Sequence, residues 1–221
     1  MSDAGFSIIE QVFSDQASQA ILADLSQPLS TRSRAGARHL MSRPAVAEVA
    51  RDPRLLAIAR DTLGPDAIPY RATLFEKSGV SNWLVIWHQD AALPLDARFE
   101  LAEWGPWSVK AGTHYAHAPT WALEKILALH LHLDDSTAAN GPLRVIPGSH
   151  QIGVLSDDEV FRIGRERPFV DCLVSRGGIL AMRPLLIHSS QKAQSPAPRR
   201  VLHIEYAAAL ELAPDIRLAV A

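Results

Sequence analysis

Residues 83–90 read W-L-V-I-W-H-Q-D, and the rest of the chain can be interpreted outward from them. A run of bulky apolar residues leads into His88, Gln89 and Asp90, which predicts a buried strand that ends on two metal-ligand residue types. Side chains two positions apart in a strand point to the same side, so His88 and Asp90 can reach one ion together. Taken alone, the stretch also fits a structural pair in which the histidine and the aspartate hydrogen-bond to each other.

A candidate third ligand lies a hundred residues further along the chain. His188 ends a second apolar run, R-P-L-L-I-H-S-S, at residues 183–190. Two histidines and one carboxylate are the ligand set that leaves open positions on non-haem Fe(II). Arg199 opens the strand R-R-V-L-H-I-E-Y eleven residues later, and a buried guanidinium there can hold a carboxylate through two parallel hydrogen bonds. This combination is typical of Fe(II)/2-oxoglutarate oxygenases.

The chain also resembles a known family over about residues 70–208. The matching segments, in order, are R-A-T-L-F-E-K, N-W-L-V-I-W-H-Q-D, G-P-W-S-V-K, L-H-L-D-D, N-G-P-L-R-V-I-P-G-S-H, M-R-P-L-L-I-H-S-S and R-R-V-L-H-I-E-Y. Together they resemble the phytanoyl-CoA dioxygenase-like family. The resemblance implies a double-stranded β-helix and a dioxygenase that uses Fe(II), 2-oxoglutarate and O2, hydroxylates a small molecule and releases succinate and CO2. It implies no particular substrate.

The expected site residues follow from the pattern and the resemblance together. His88, Asp90 and His188 are the expected metal ligands, and Arg199 and Ser190 are expected to hold the far carboxylate of 2-oxoglutarate. The resemblance aligns Lys77 with a lysine near the 2-oxoglutarate site, although a lysine at a strand end is also commonly just solvated.

Two other functions stay open at this point. The barrel can serve as a non-catalytic cupin-like binding module, or as an enzyme that uses another divalent metal. Neither of these functions requires residues that bind 2-oxoglutarate, so the presence of Arg199 and Ser190 argues against both.

Substrate contacts are predicted from two segments and one strand. Residues 25–47 contain no acid but several arginines, among them Arg38, which suggests either a solvated loop or a surface for an anionic group. Residues 91–120 leave the metal ligands directly, so we expect a long loop that roofs the site and can present Trp107 and Lys110 to the substrate. Trp107 fits equally well as an anchor that packs the loop against the barrel. Residues 126–134 alternate, placing leucines on one face and His130 and His132 on the other. The two histidines are expected to line a polar cavity wall or a surface face and not to bind the metal, and His132 is the candidate for the substrate cavity.

Composition limits the class of protein. The 221 residues predict one domain, with a helical N-terminal part at about 1–66 and a jelly-roll core at about 67–210. A net charge of -2 gives no general attraction to nucleic acid or an anionic membrane. One cysteine, and an N-terminus without a long apolar run, favour a cytoplasmic protein. Nothing in the sequence indicates an oligomeric state.

The predicted fold is mainly β, a cupin-like jelly roll with flanking N-terminal helices. Helices are expected over residues 14–26, 44–51 and 52–63, because N-cap residues and Pro or Gly mark their ends. Strands are expected over 68–77 and 82–88, and short strands with turns between them follow. The charged residues 151–168 are expected to form an irregular surface excursion.

Overall fold

The structure is a computed structural model that describes residues 3–26, 32–33, 36–78 and 81–221. In these ranges the α-helices are Asp15–Leu25 (α1), Pro44–Ala50 (α2), Pro53–Leu63 (α3), Thr120–Leu123 (α4) and Asp157–Glu166 (α5), and 3-10 helices span Leu40–Ser42 and Ser149–Ile152. The strands are Phe6–Ile9 (β1), Arg32–Ser33 (β2), Gly36–Ala37 (β3), Ile68–Lys77 (β4), Val85–His88 (β5), Ala92–Leu95 (β6), Trp107–Lys110 (β7), Thr113–His117 (β8), Ile126–His132 (β9), Leu143–Val145 (β10), Val170–Cys172 (β11), Ile179–Met182 (β12), His188–Ser190 (β13), Arg199–Ala207 (β14), Glu211–Ala213 (β15) and Ile216–Arg217 (β16).

Two antiparallel sheets face each other across the interior. The larger has the strand order β1-β12-β9-β14-β4-β3-β2, and the smaller has the order β11-β10-β13-β5. Apolar side chains from both sheets share one buried cluster, which includes Ala128 and Met182 from the larger sheet and Val145 and Cys172 from the smaller. The mainly β prediction is confirmed, and the N-terminal part also contributes β1, β2 and β3 to the larger sheet.

The N-terminal helices cover the outer face of the larger sheet. Leu127, Leu129 and Leu131 of β9 belong to the cluster that packs against residues of α1, α2 and α3, so the alternate positions of β9 face the interior. The Tyr206 hydroxyl of β14 also donates to the Ala50 carbonyl at the end of α2, at 2.7 Å. This layer fixes which side of each long strand points into the space between the sheets.

The helix ends follow their predicted signals. The Ser14 side chain accepts a hydrogen bond from the backbone N–H of Ala17 at the start of α1, and that of Asp52 accepts from Arg54 at the start of α3. Gly64 follows the last residue of α3. The three predicted N-terminal helices are therefore present.

The connection over residues 91–120 differs from the loop that the sequence suggested. It forms a three-stranded antiparallel sheet with the order β6-β8-β7. Its apolar side chains, including Leu93, Trp104 and Ala116, are buried in a cluster that they share with residues near the C-terminus, such as Leu212 and Leu218. The strands are short, and Pro and Gly between them obscure the strand signal in the sequence.

The expected irregular excursion at 151–168 is also wrong, because it contains α5. Ser156 and Glu159 form a reciprocal capping box at the start of this helix. Its buried residues Val160 and Ile163 pack with Ile187 against the outer side of the smaller sheet. The S-x-x-E signal was visible in the sequence.

None of the described helices combines the length and the apolar character needed to cross a lipid bilayer.

Candidate metal centre

The predicted metal ligands lie close together at the ends of two neighbouring strands, β5 and β13. His88 on β5 lies directly opposite His188 on β13 in the antiparallel register, and their ring centroids are 4.1 Å apart. Asp90 follows β5, and its backbone N–H donates to the Pro184 carbonyl at 2.9 Å, which fixes the chain where the carboxylate leaves it. The three side chains therefore converge from two adjacent strand ends.

The geometry suits one metal ion. The Asp90 carboxylate oxygens lie 3.8 Å from His88 Nε2 and 3.7 Å from His188 Nε2. One ligand atom from each residue lies within 4.8 Å of the others, and within the described part of the chain no other set of three such residues does so. Two imidazoles and one carboxylate match the donor set that non-haem Fe(II) takes while keeping positions open.

Hydrogen bonds fix the protonation of both rings. Nδ1 of His88 lies 2.9 Å from the Ile86 carbonyl oxygen, and Nδ1 of His188 lies 2.9 Å from the Leu186 carbonyl oxygen. Because a carbonyl oxygen only accepts, each Nδ1 carries the proton and donates it. The Nε2 lone pair of each ring then points away from this hydrogen bond and can bind a metal. Metal-bound histidines in proteins usually donate their other ring N–H to such an acceptor.

The electrostatics of the site keep the ligands in their metal-binding states. Desolvation by the surrounding protein raises the pKa of Asp90, but His188 and His88 outweigh it and lower that pKa to about 2. Burial and then His88 lower the pKa of His188 to about 4. At neutral pH the carboxylate is ionised and His188 is neutral, so neither ligand has to lose a proton when a metal binds.

Next to these ligands lies a pair of buried cations. Lys77 and Arg199 are directly opposite each other on β4 and β14, and their exposed fractions are 1% and 8%. Both reach the Ser190 hydroxyl, with Lys77 Nζ at 2.6 Å and Arg199 Nη2 at 3.3 Å, and that hydroxyl donates to the Gly141 carbonyl at 2.8 Å. The three residues expected to hold 2-oxoglutarate thus form one contact group.

The two cations lack an anionic partner among the residues that the structure describes. No carboxylate there forms an ion pair with Lys77 or Arg199, and Arg199 Nε has no hydrogen-bond partner. Burial and then Arg199 lower the pKa of Lys77 to about 7, and burial lowers that of Arg199 to about 10. Buried charge is costly unless it is paired, so this group fits an anionic ligand.

The metal ligands and the buried cations line the same cavity, of about 120 Å³, between the two sheets. A second cavity of about 190 Å³ adjoins the first. The two cavities have Asp90 and Phe75 in common among their lining residues. The predicted residues Arg38 and Lys110 line this second cavity.

Two predicted substrate residues are not among those that line either cavity. Trp107 packs edge-on against Phe99, with ring centroids 5.1 Å apart. His132 lies opposite Val201 and is buried, and neither ring nitrogen has a partner among the described residues. His150, which follows the turn at residues 147–149 and is not a predicted metal ligand, lies elsewhere, against Gly5.

Sequence reasoning missed several cavity residues, although the alternation of β4 and β14 contained the signal. Counting back by two from Lys77 gives Phe75, Thr73 and Arg71, which all line the cavities. Counting forward by two from Arg199 gives Val201, His203 and then Glu205, of which the first two line the cavity with the metal ligands. His203 contacts His130, with 3.1 Å between His203 Nδ1 and His130 Nε2, and Glu205 forms an ion pair with Arg71.

Comparison with characterised proteins agrees with this geometry. An ectoine dioxygenase of Bordetella parapertussis is 29% identical over 166 residues, which are 66% of this chain and 46% of that protein. An L-proline trans-4-hydroxylase of Streptomyces griseoviridis is 27% identical over 188 residues, 72% of this chain and 62% of that protein. The chain thus spans about half the length of the ectoine dioxygenases that it matches.

Solved structures show the same fold. Apo EctD from S. alaskensis superposes with a TM-score of 0.69 at 22% identity, covering 94% of this chain and 74% of that one. HygX from Streptomyces hygroscopicus, with nickel and 2-oxoglutarate bound, gives 0.66 at 19% identity, covering 93% and 83%. These likenesses confirm the predicted jelly roll. The family model described as phytanoyl-CoA dioxygenase (PhyH) matches residues 1–201, so the chain belongs to the phytanoyl-CoA dioxygenase family.

Proposed function

We propose that this protein is a non-haem Fe(II)/2-oxoglutarate-dependent dioxygenase that hydroxylates a small molecule. One observation carries the proposal: a single cavity contains a complete two-histidine, one-carboxylate ligand set and two buried cations without a carboxylate partner among the described residues. The ligand set suits Fe(II), and the cations suit a co-substrate with a free carboxylate.

Each group has a defined task in this scheme. His88, Asp90 and His188 hold Fe(II), while Arg199, Lys77 and the Ser190 hydroxyl hold the far carboxylate of 2-oxoglutarate. When bound, iron and 2-oxoglutarate supply the O2-dependent oxidation that releases succinate and CO2.

The protein contributes orientation for this chemistry. The carbonyls of Ile86 and Leu186 keep both imidazoles turned with Nε2 toward the ion. The Ser190 oxygen accepts from both Lys77 and Arg199, which keeps the two cationic groups together before the ligand arrives. The Ser190 proton, which the Gly141 carbonyl accepts here, turns to the carboxylate when the ligand binds.

The names of relatives support the same class. Proteins similar to this chain are named as an ectoine dioxygenase and an L-proline trans-4-hydroxylase, and HygX holds 2-oxoglutarate in a similar fold. Two alternatives are a binding module without catalysis and a barrel enzyme that uses another metal. Neither alternative explains why Arg199 and Lys77 are buried side by side. The cytoplasmic location stays a proposal, and its support is the buried thiol of the single cysteine, Cys172.

Succinate formation tests the proposal. Purified protein is incubated with 2-oxoglutarate, ascorbate and O2, with or without Fe(II), and succinate is measured over time. We expect slow succinate release that requires both iron and O2, and faster release once a substrate is added. A folded protein that binds neither iron nor 2-oxoglutarate contradicts the proposal.

A further inference from the structure

The second cavity, on the other side of Asp90 from the buried cations, has a strongly basic wall. Arg38, Arg71 and Lys110 line it, whereas Asp90 is the one carboxylate among its described lining residues. Asp90 belongs to the metal ligand set, so its charge is directed to the ion. The wall opposite the metal is therefore cationic.

The charges on that wall are only partly balanced. Arg71 is paired with the buried Glu205. Lys110 makes no ion pair within the described ranges, and its Nζ lies 4.7 Å from the centre of the Tyr115 ring. Burial and then the nearby charges of Arg38 and Arg71 lower the pKa of Lys110. An anion in the cavity relieves this repulsion.

Two side chains of this wall, Tyr115 and Arg71, are held in place by their neighbours. Tyr115 is buried, and its hydroxyl lies 2.9 Å from His39 Nε2. Arg71 donates to the Ala92 carbonyl as well as pairing with Glu205. A polar group held in this way keeps its position when a ligand arrives, so little ordering is needed on binding.

Position and size narrow the ligand class. Because Asp90 and Phe75 line both cavities, a molecule here lies beside the metal ligands and next to the proposed co-substrate site. The volume of about 190 Å³ lies below the range of about 300–1,000 Å³ that holds drug-sized ligands. An acyl-CoA is far too large to be enclosed, whereas a molecule of amino-acid size fits.

We propose that this cavity binds the substrate of the proposed dioxygenase through a carboxylate, held by Arg38 and Lys110 beside Arg71, on a molecule of amino-acid size. The inference rests on the proposed function, since it takes the adjoining cavity to hold iron and 2-oxoglutarate. Arg38 and Lys110 carry charged donors that suit a carboxylate better than a neutral group, because charge-assisted hydrogen bonds are the stronger ones. Arg71 stays paired with Glu205 and adds positive charge to the wall. The remainder of the substrate then extends toward Asp90 and the metal.

Binding under anaerobic conditions tests this without turnover. Protein loaded with Fe(II) and 2-oxoglutarate is titrated with the proteinogenic amino acids and with short-chain carboxylic acids, each beside its own primary amide. We expect at least one acid to bind and its amide to bind about tenfold more weakly or worse, because a charge-assisted hydrogen bond is lost. The acid that binds should also protect Lys110 from trace acetylation, measured by mass spectrometry.

Variants assign the effect to the wall. Arg38→Gln and Lys110→Gln should each weaken binding of that acid about tenfold or more. Arg60→Gln, which removes an exposed charge on α3, is the matched control and should leave binding unchanged. The acetylation readout uses the unaltered protein, so a variant that fails to fold does not remove the test.

Three results overturn the inference: an amide that binds as tightly as its acid, a bound acid that leaves Lys110 equally reactive, or a panel without any acid that binds. If iron and 2-oxoglutarate bind normally in these experiments, the failure concerns the substrate class alone. If they do not bind, the proposed function fails first.

Discussion

Arg199 and Arg200 are adjacent in sequence but lie on opposite faces of β14. Arg199 faces the cavity and contacts Ser190, whereas Arg200 forms two hydrogen bonds with the Asp134 carboxylate, at 2.7 and 2.8 Å. We expect Arg199→Ala to weaken 2-oxoglutarate binding by about 2–5 kcal/mol, because the carboxylate loses its partner in a largely dry pocket. Arg200→Ala should leave that affinity unchanged. Anaerobic titration of the iron-loaded proteins measures both, and the reverse outcome contradicts the assigned register.

Lys77 should make 2-oxoglutarate binding depend on pH. Its pKa is lowered to about 7 by burial and by Arg199, and a bound carboxylate raises it again. Below pH 7 the amine is already protonated, so affinity is at its highest there. As the pH rises above 7, binding must take up a proton, and affinity falls by at most about tenfold per pH unit.

The matched variant for this prediction is Lys77→Met, which keeps the length and removes the charge. Calorimetric titrations from pH 6.5 to 9 should show the decline in the unaltered protein and a flatter profile in the variant. Equal profiles in the two proteins would assign the pH dependence to another group.

At the scale of elements, the sequence predicted those parts whose signals are local. The caps Ser14 and Asp52 specify where α1 and α3 begin, and the apolar run before His88 forms β5, without help from distant residues. The run before His188 forms a turn instead, and β13 begins at His188 itself. The pairing of β1 with β12 could not be predicted, because Phe6–Ile9 joins a strand more than 170 residues away. Arg71 and Glu205 were missed because their pairing depends on the register between β4 and β14, which no single segment contains.

Helix α5 packs against β5, the strand that carries His88, and Gly164 of α5 lies at this contact. A Cβ at Gly164 would lie 2.5 Å from Trp87 Cδ1, and the Trp87 ring also packs against Phe169 at 6.0 Å. Gly→Ala in an exposed helix usually stabilises by about 1 kcal/mol. Here we expect Gly164→Ala to lower the free energy of unfolding by about 1–3 kcal/mol, because the contact is overpacked.

Denaturant unfolding measures this effect. Arg165→Ala, at the exposed neighbouring position, is the control and should change the free energy of unfolding by less than about 0.5 kcal/mol. A stabilised Gly164→Ala protein would show that α5 does not press on Trp87.

At the scale of the whole molecule, the fold separates three environments. The helices seal the outer face of the larger sheet, the space between the sheets contains the metal ligands and the buried cations, and the sheet β6-β8-β7 supplies Lys110 and Tyr115 to the adjoining cavity. Asp90 lies on the boundary of the two cavities. The account therefore depends on one claim, that His88, Asp90 and His188 hold a single iron.

Iron content tests that claim most directly. The unaltered protein, His188→Ala and His150→Ala are reconstituted anaerobically with Fe(II), freed of unbound metal and analysed for iron per chain, with circular dichroism to confirm folding. We predict about one iron per chain in the unaltered protein and in His150→Ala, and little in folded His188→Ala, because one of three ligands is lost. Full iron in His188→Ala, or its loss in His150→Ala, would contradict the account.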